Sequence, residues 1–242
     1  MMRHGGNRIQ LARLAGCTPE EILDFSVNLN PLGIPDGVED AYCRAVERLS
    51  EYPEPYSESL CRIAAERLGV NPEHLLFGNG ANQLLSLVPR ALKSRRARIV
   101  VPGYLEYRKV CERAGLPVSP FFLDADFRLD FEALSAGSEP GDLLILGNPN
   151  NPNGALVPPE KIRSFAQEHP EIQILVDEAF IDFVGPESSL LSGPLPPNLL
   201  LLRSLTKFYG IPGLRIGYLA GAAGSGNPAP PGGGVGSPPA NG

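Results

Sequence analysis

Cysteine is scarce in this 242-residue chain, basic charge is not in excess, and no long hydrophobic run occurs. Each shortage removes a class of function. Cys17, Cys43, Cys61 and Cys111 stand 26, 18 and 50 residues apart. That spacing offers no CxxC pair and no Cys/His pair suited to chelation, so they read as reduced thiols and no metal is expected. Twenty-one basic side chains against 27 acidic ones leave a net charge of −6. This balance argues against nucleic acid or an anionic membrane surface as partner, and for a small ligand. The apolar stretches, such as 99–101 and 142–146, are strand-sized, whereas a membrane span needs about 20 apolar residues. The first ten residues lack an apolar signal core. A soluble cytoplasmic protein is the expectation.

What is present suffices for a sizeable core, with 43% hydrophobic and 20% charged residues. Glycine and proline crowd the end: 221–242 holds eight Gly, five Pro and no charged side chain, and is expected to be a disordered tail. Before it, short β-branched or aliphatic runs at 75–77, 97–101, 118–123, 143–146, 172–176 and 199–202 predict strands. Helical periodicity at 36–49, 57–68, 81–92, 105–114 and 159–168 fills the gaps between them. Such alternation implies an α/β fold whose mostly parallel sheet is covered on both faces, with ligands beyond the carboxyl ends of its strands.

Four motifs sit at such strand ends. In Phe77-Gly78-Asn79-Gly80-Ala81-Asn82-Gln83 a strand turns through two glycines into a helix, so free N–H groups of Ala81 and Asn82 can face an anion; plain turn punctuation explains the glycines equally simply. Gly147-Asn148-Pro149-Asn150-Asn151-Pro152-Asn153-Gly154 is either a rigid turn or a set of amides facing a ligand. In Ile174-Leu175-Val176-Asp177-Glu178 two adjacent carboxylates end a strand, and period-two alternation sends one of them into the ligand crevice. There it needs a cationic partner such as a ring nitrogen. Finally, Arg203-Ser204-Leu205-Thr206-Lys207 is followed by Gly213-Leu214-Arg215. Apolar neighbours and nearby Arg215 would lower the Lys207 pKa and free a nucleophilic amine.

A strand-end carboxylate, an asparagine loop, a lysine amine and a composite phosphate site match the needs of a pyridoxal phosphate enzyme. In order and spacing the four motifs resemble the fold type I aminotransferase superfamily, from Arg3 to about Ala220. Within it, His4-Gly5-Gly6-Asn7, the run from Leu23 to Gly33, and Asp177 to Phe183 look most similar to the threonine-phosphate decarboxylases of cobalamin biosynthesis. Histidinol-phosphate aminotransferases are the alternative. Phe180 stands where many aminotransferases carry tyrosine.

The resemblance implies a three-layer α/β/α large domain at 36–220, an N-terminal arm at 1–35, and pyridoxal 5'-phosphate as cofactor. Lys207 would hold the cofactor as a Schiff base, Asp177 would pair with the pyridine nitrogen, and Asn151 would donate to the phenolic oxygen. Tyr104 would stack on the ring, while Gly80, Ala81, Asn82, Ser204 and Arg215 would bind the phosphate. Tyr52 would reach the phosphate of a neighbouring subunit in a homodimer, and His4 and Asn30 would lie near a small phosphorylated amino-acid substrate. The implied reaction is decarboxylation of O-phospho-L-threonine to 1-amino-2-propanol phosphate. Members of the superfamily continue through a C-terminal small domain whose arginines bind substrate. Its lack here implies a fragment or frameshift product, and a non-catalytic remnant is a further alternative.

Overall fold

The computed structural model describes residues 5–222. His4 and most of the Gly/Pro-rich tail lie outside the described residues. Seven strands, β1 (Leu75–Asn79), β2 (Arg96–Val101), β3 (Val118–Phe122), β4 (Asp142–Gly147), β5 (Gln173–Asp177), β6 (Leu199–Ser204) and β7 (Ile216–Gly221), form one sheet in the order β1-β7-β6-β5-β4-β2-β3. Neighbours from β6 through β3 pair in parallel, while β7 lies antiparallel between β1 and β6. A mostly parallel sheet must be covered on both faces, and its strands then read as unbroken apolar runs rather than as alternation. Asp142-Leu-Leu-Ile-Leu-Gly of β4 is buried at every position.

The helices are α1 (Arg8–Ala15), α2 (Val38–Ala45), α3 (Glu58–Leu68), α4 (Ala81–Ala91), α5 (Leu105–Arg113), α6 (Phe131–Ala136) and α7 (Pro159–Glu168). One face of the sheet packs on α4 and α5: Leu84, Leu85, Val88, Tyr107, Val110 and Cys111 meet Ile99, Ile145, Leu175 and Leu202. The other face packs on α3, α6 and α7, where Cys61, Leu134, Ile162 and Phe165 meet Val100, Leu144, Leu146, Ile174 and Leu201. Each fully buried aliphatic side chain contributes roughly 1.5–3 kcal/mol of hydrophobic stabilisation. The chain therefore has the expected α/β/α layering.

Local chemistry sets the element boundaries. The single helix expected over 36–49 is shorter: Gly37, at φ 81°, precedes α2, and a 3-10 turn takes over at Val46–Arg48. Two short helices, α1 and α6, were not foreseen. The first is started by the Asn7 side chain accepting from Gln10 N–H at 3.0 Å, and the second by Asp130 accepting from the N–H groups of Glu132 and Ala133 at 3.0 Å. Both are capping interactions that satisfy otherwise orphaned donors. No helix among the described residues is long and apolar enough to cross a membrane.

Candidate active site

The carboxyl ends of β4, β5 and β6 and the amino ends of α4 and α5 surround a cavity of about 360 Å³. Ala81, Asn82, Tyr104, Asn151, Asp177, Ser204 and Lys207, all expected at the site, line it, together with Tyr107, Phe180 and Ser26–Asn28 of the N-terminal arm.

Asp177 ends β5 and is 8% exposed. The alternation of the strand separates the two adjacent acids. Asp177 faces the cavity, while Glu178, fully buried, turns away to accept from Arg203 Nη1 at 3.0 Å, Ser189 Oγ at 2.7 Å and Leu190 N–H at 2.7 Å. Arg203 also bonds Asp182, so Glu178 belongs to a buried ion network that braces β6. Asp177 has no such cation against it. Burial pushes its carboxyl pKa up, opposed by hydrogen bonds from Tyr107 and Ala179 and by the charge of Lys207. The Tyr107 hydroxyl donates to Oδ2 at 2.8 Å and Ala179 N–H to Oδ1 at 3.0 Å.

Lys207 follows β6 and reaches the same cavity. Burial lowers its amine pKa, and the positive charge of Arg215 lowers it further, against the pull of Asp177. Among the described residues no carboxylate lies within ion-pair distance of the amine. An amine so placed is more often neutral, and nucleophilic, than a solvated lysine.

At the start of α4, Gly80 has φ 76° and ψ 159°, a conformation open almost only to glycine. A Cβ there would stand 2.6 Å from Arg215 Nη2. The bare backbone thus lets the guanidinium lie over the helix start, where the first N–H groups have no intrahelical acceptor and the helix dipole is positive. Arg215 itself adopts φ 51°, a left-handed backbone uncommon outside glycine. Buried Ser204 adds a hydroxyl, 2.9 Å from Thr206 Oγ1. Guanidinium, helix N-terminus and hydroxyl are the donor types that an anion needs.

The asparagine loop divides its labour. Asn148 clamps Val157 through both amide atoms, at 3.0 and 2.8 Å. Asn150 donates to the Pro102 carbonyl at 3.0 Å and to Asn153 Oδ1 at 2.9 Å. Asn151 is the loop asparagine that lines this cavity. Tyr104, whose hydroxyl is 3.3 Å from Asn82 Nδ2, forms one wall.

Of the expected residues that are described, Gly80, Arg215, Asn30 and Tyr52 are not part of the cavity lining, although Gly80 and Arg215 meet beside it at the start of α4. Asn30 gives its backbone N–H to the Lys207 carbonyl at 3.0 Å and its side-chain Nδ2 to the Phe208 carbonyl at 2.8 Å, while its Oδ1 accepts from Leu32 N–H. It ties the arm to the lysine segment. Tyr52 is fully exposed, and His4 lies outside the described residues. Tyr107, like Ser26–Asn28, is a lining residue that motif reasoning missed. The detectable signal was a second tyrosine three positions after Tyr104, on the apolar face of α5, where a buried hydroxyl needs a partner.

A desolvated amine, a buried carboxylate and a helix start beneath a guanidinium, gathered at the strand ends of an α/β/α sheet, are groups suited to a phosphorylated, ring-bearing cofactor. The chain belongs to the aminotransferase class I and II family, whose model matches residues 20–225. It is 38% identical over 221 residues to the threonine-phosphate decarboxylase of Salmonella typhimurium, covering 89% of this chain and 61% of that one. It is 36% identical over 220 residues to the adenosylcobalamin biosynthesis bifunctional protein of Leptospira interrogans (88% and 25%), and 31% identical over 225 residues to histidinol-phosphate aminotransferase 2 of Pasteurella multocida (88% and 60%). Among solved structures, the histidinol-phosphate aminotransferase of Clostridium acetobutylicum superposes with a TM-score of 0.76 at 31% identity, covering 85% of this chain and 62% of that one. That of Sinorhizobium meliloti, in complex with pyridoxal-5'-phosphate, also gives 0.76, at 25% identity (93% and 65%). The chain thus spans about three fifths of the decarboxylase and aminotransferase relatives.

Proposed function

We propose that this chain is the cofactor-binding part of a threonine-phosphate decarboxylase, which converts O-phospho-L-threonine to 1-amino-2-propanol phosphate in cobalamin biosynthesis. The observation that carries the reading is the likeness to the Salmonella typhimurium decarboxylase over nearly nine tenths of the chain. Phe180 in the cavity wall agrees with it, because a residue without a hydroxyl leaves the Asn151 side of the site one donor short of a tyrosine-bearing aminotransferase. The cofactor is pyridoxal 5'-phosphate, and the residues fit it: a bare Gly80 under the Arg215 guanidinium for the phosphate, and a buried carboxylate without a cation for the ring nitrogen.

When bound, pyridoxal phosphate supplies the electron sink for the bond broken at the substrate α-carbon. The protein does the rest. Arg215, Ser204 and the N–H groups of Ala81 and Asn82 would hold the phosphate, Tyr104 would cover the ring, and Asn151 would donate to its phenolic oxygen. Asp177, whose two donors favour its ionised form against the effect of burial, would face the protonated ring nitrogen. In the reaction the bond from Cα to the carboxylate carbon breaks, carbon dioxide leaves, and Cα gains a proton. The Lys207 amine, with its lowered pKa, is the group placed to carry that proton. A homodimer in which exposed Tyr52 completes the neighbouring phosphate site, with His4 and the arm around Asn30 near the substrate, and a cytoplasmic location, belong to the same reading.

A histidinol-phosphate-type aminotransferase is the second reading, favoured by the superposition on the Clostridium acetobutylicum enzyme. Incubation with O-phospho-L-threonine separates the two. Carbon dioxide release that needs no added 2-oxoglutarate supports the decarboxylase. Turnover of histidinol phosphate that depends on an amino acceptor overturns it, and cofactor binding with turnover of neither substrate returns the non-catalytic reading.

A further inference from the structure

Tyr107 raises a question that packing does not answer. Its ring is 2% exposed on α5 and lies edge-on to Tyr104, with centroids 5.5 Å apart. Phenylalanine would fill the same space among Leu84, Ile99 and Ile145 without burying a polar atom. The hydroxyl points instead at Asp177 Oδ2, 2.8 Å away. The fold also reserves room for it: a Cβ on Gly147, the last residue of β4, would stand 3.3 Å from the phenolic oxygen and 3.3 Å from Asn150. Deep burial and the facing carboxylate hold the phenol pKa well above its ordinary value, so the group stays protonated and acts as a donor.

With Ala179 N–H on Oδ1 and Tyr107 on Oδ2, each carboxylate oxygen has one fixed donor, which sets the plane of the group and favours its ionised form against the effect of burial. A donor to a carboxylate favours the ionised form and makes it a weaker base. Opposite a protonated ring nitrogen, a weaker base leaves the proton on nitrogen. A stronger base draws it across, exchanging the ion pair N–H⁺···⁻O for the neutral pair N···H–O.

We propose that the Tyr107 hydroxyl is a positioning group for this reaction, orienting Asp177 and keeping the shared proton on the cofactor ring nitrogen. The proposal rests on the reading of Asp177 as the partner of that nitrogen. Its test loads the full 242-residue chain with pyridoxal phosphate labelled with ¹⁵N in the ring. The nitrogen resonance, the cofactor dissociation constant and the thermal midpoint are then compared in wild type, Tyr107→Phe and Asp177→Asn. The expected result is a Tyr107→Phe resonance moved part of the way from the wild-type position toward the neutral-pyridine position of Asp177→Asn, with binding weakened about tenfold, the scale of one hydrogen bond to a charged group. An unmoved resonance in Tyr107→Phe beside a moved one in Asp177→Asn overturns the role of Tyr107 and leaves that of Asp177 standing. If neither variant moves it, the placement of Asp177 fails and the proposal fails with it. Should Tyr107→Phe not fold, Gly147→Ala, which keeps the phenol but crowds its oxygen, is read in the same way: a shift toward neutral pyridine supports the proposal and no shift overturns it.

Discussion

Replacing Gly80 by alanine separates backbone strain from loss of the anion site. At φ 76° and ψ 159° an L-residue is strained by about 2 kcal/mol, which for a chain of this size lowers the melting temperature by roughly 4–8 °C. The new methyl would also stand 2.6 Å from Arg215 Nη2, so the guanidinium must swing off the start of α4. Losing a charge-assisted hydrogen bond to the cofactor phosphate costs about 1.5–3 kcal/mol, a ten- to hundredfold weakening. Gly69→Ala is the control. Gly69 also has positive φ, 67°, at the end of α3, but nothing lies within 4 Å of an added Cβ. It should lose about 1 kcal/mol of stability and no cofactor affinity. Thermal melting of the apoprotein and absorbance titration with pyridoxal phosphate measure both effects. If Gly80→Ala binds within twofold of wild type while folded, or if Gly69→Ala weakens binding as much, the placement of the phosphate under Arg215 is wrong.

Two further variants probe the electrostatics. Glu178→Ala leaves Arg203 buried with Asp182 as its remaining acid, and breaking a buried pair from one side costs about 3–5 kcal/mol in urea unfolding; a loss below about 1 kcal/mol would show that the network does not brace β6. Arg215→Gln should move the pH midpoint of Lys207 acylation in the apoprotein upward, though not to that of a solvated lysine, because burial is the larger cause of the depression. The sign follows from removing a like charge; the same depressed pKa also makes stability rise with pH between the native and unfolded values, because there the unfolded chain binds the extra proton. A midpoint that stays put or falls would remove Arg215 from the surroundings of the amine.

Much of the site was legible because it depends on short stretches of chain. Gly80, between a strand and a helix, and two acids at the end of an apolar strand carry their geometry with them: Asp177 and Glu178 part to opposite sides as alternation requires. The lowered Lys207 pKa was likewise readable from its neighbours and Arg215. What resisted reading is non-local. Tyr107 meets Asp177 across 70 positions of sequence, and Arg203 meets Glu178 across 25, so no spacing announces either pair. The antiparallel insertion of β7 is set by pairing with both β1 and β6, which its own residues do not encode. The asparagine loop looked like one motif, yet Asn148 and Asn150 tie the loop together while Asn151 faces the cavity, a division decided by loop geometry rather than by residue type.

That Lys207 holds the cofactor is tested most directly by incubating the chain with pyridoxal phosphate, reducing with borohydride and mapping the modified peptide by mass spectrometry. The expected result is a single pyridoxyl adduct on Lys207, abolished in Lys207→Ala. An adduct spread over solvent-exposed lysines such as Lys93, or none on Lys207 in a chain shown to be folded, would contradict it.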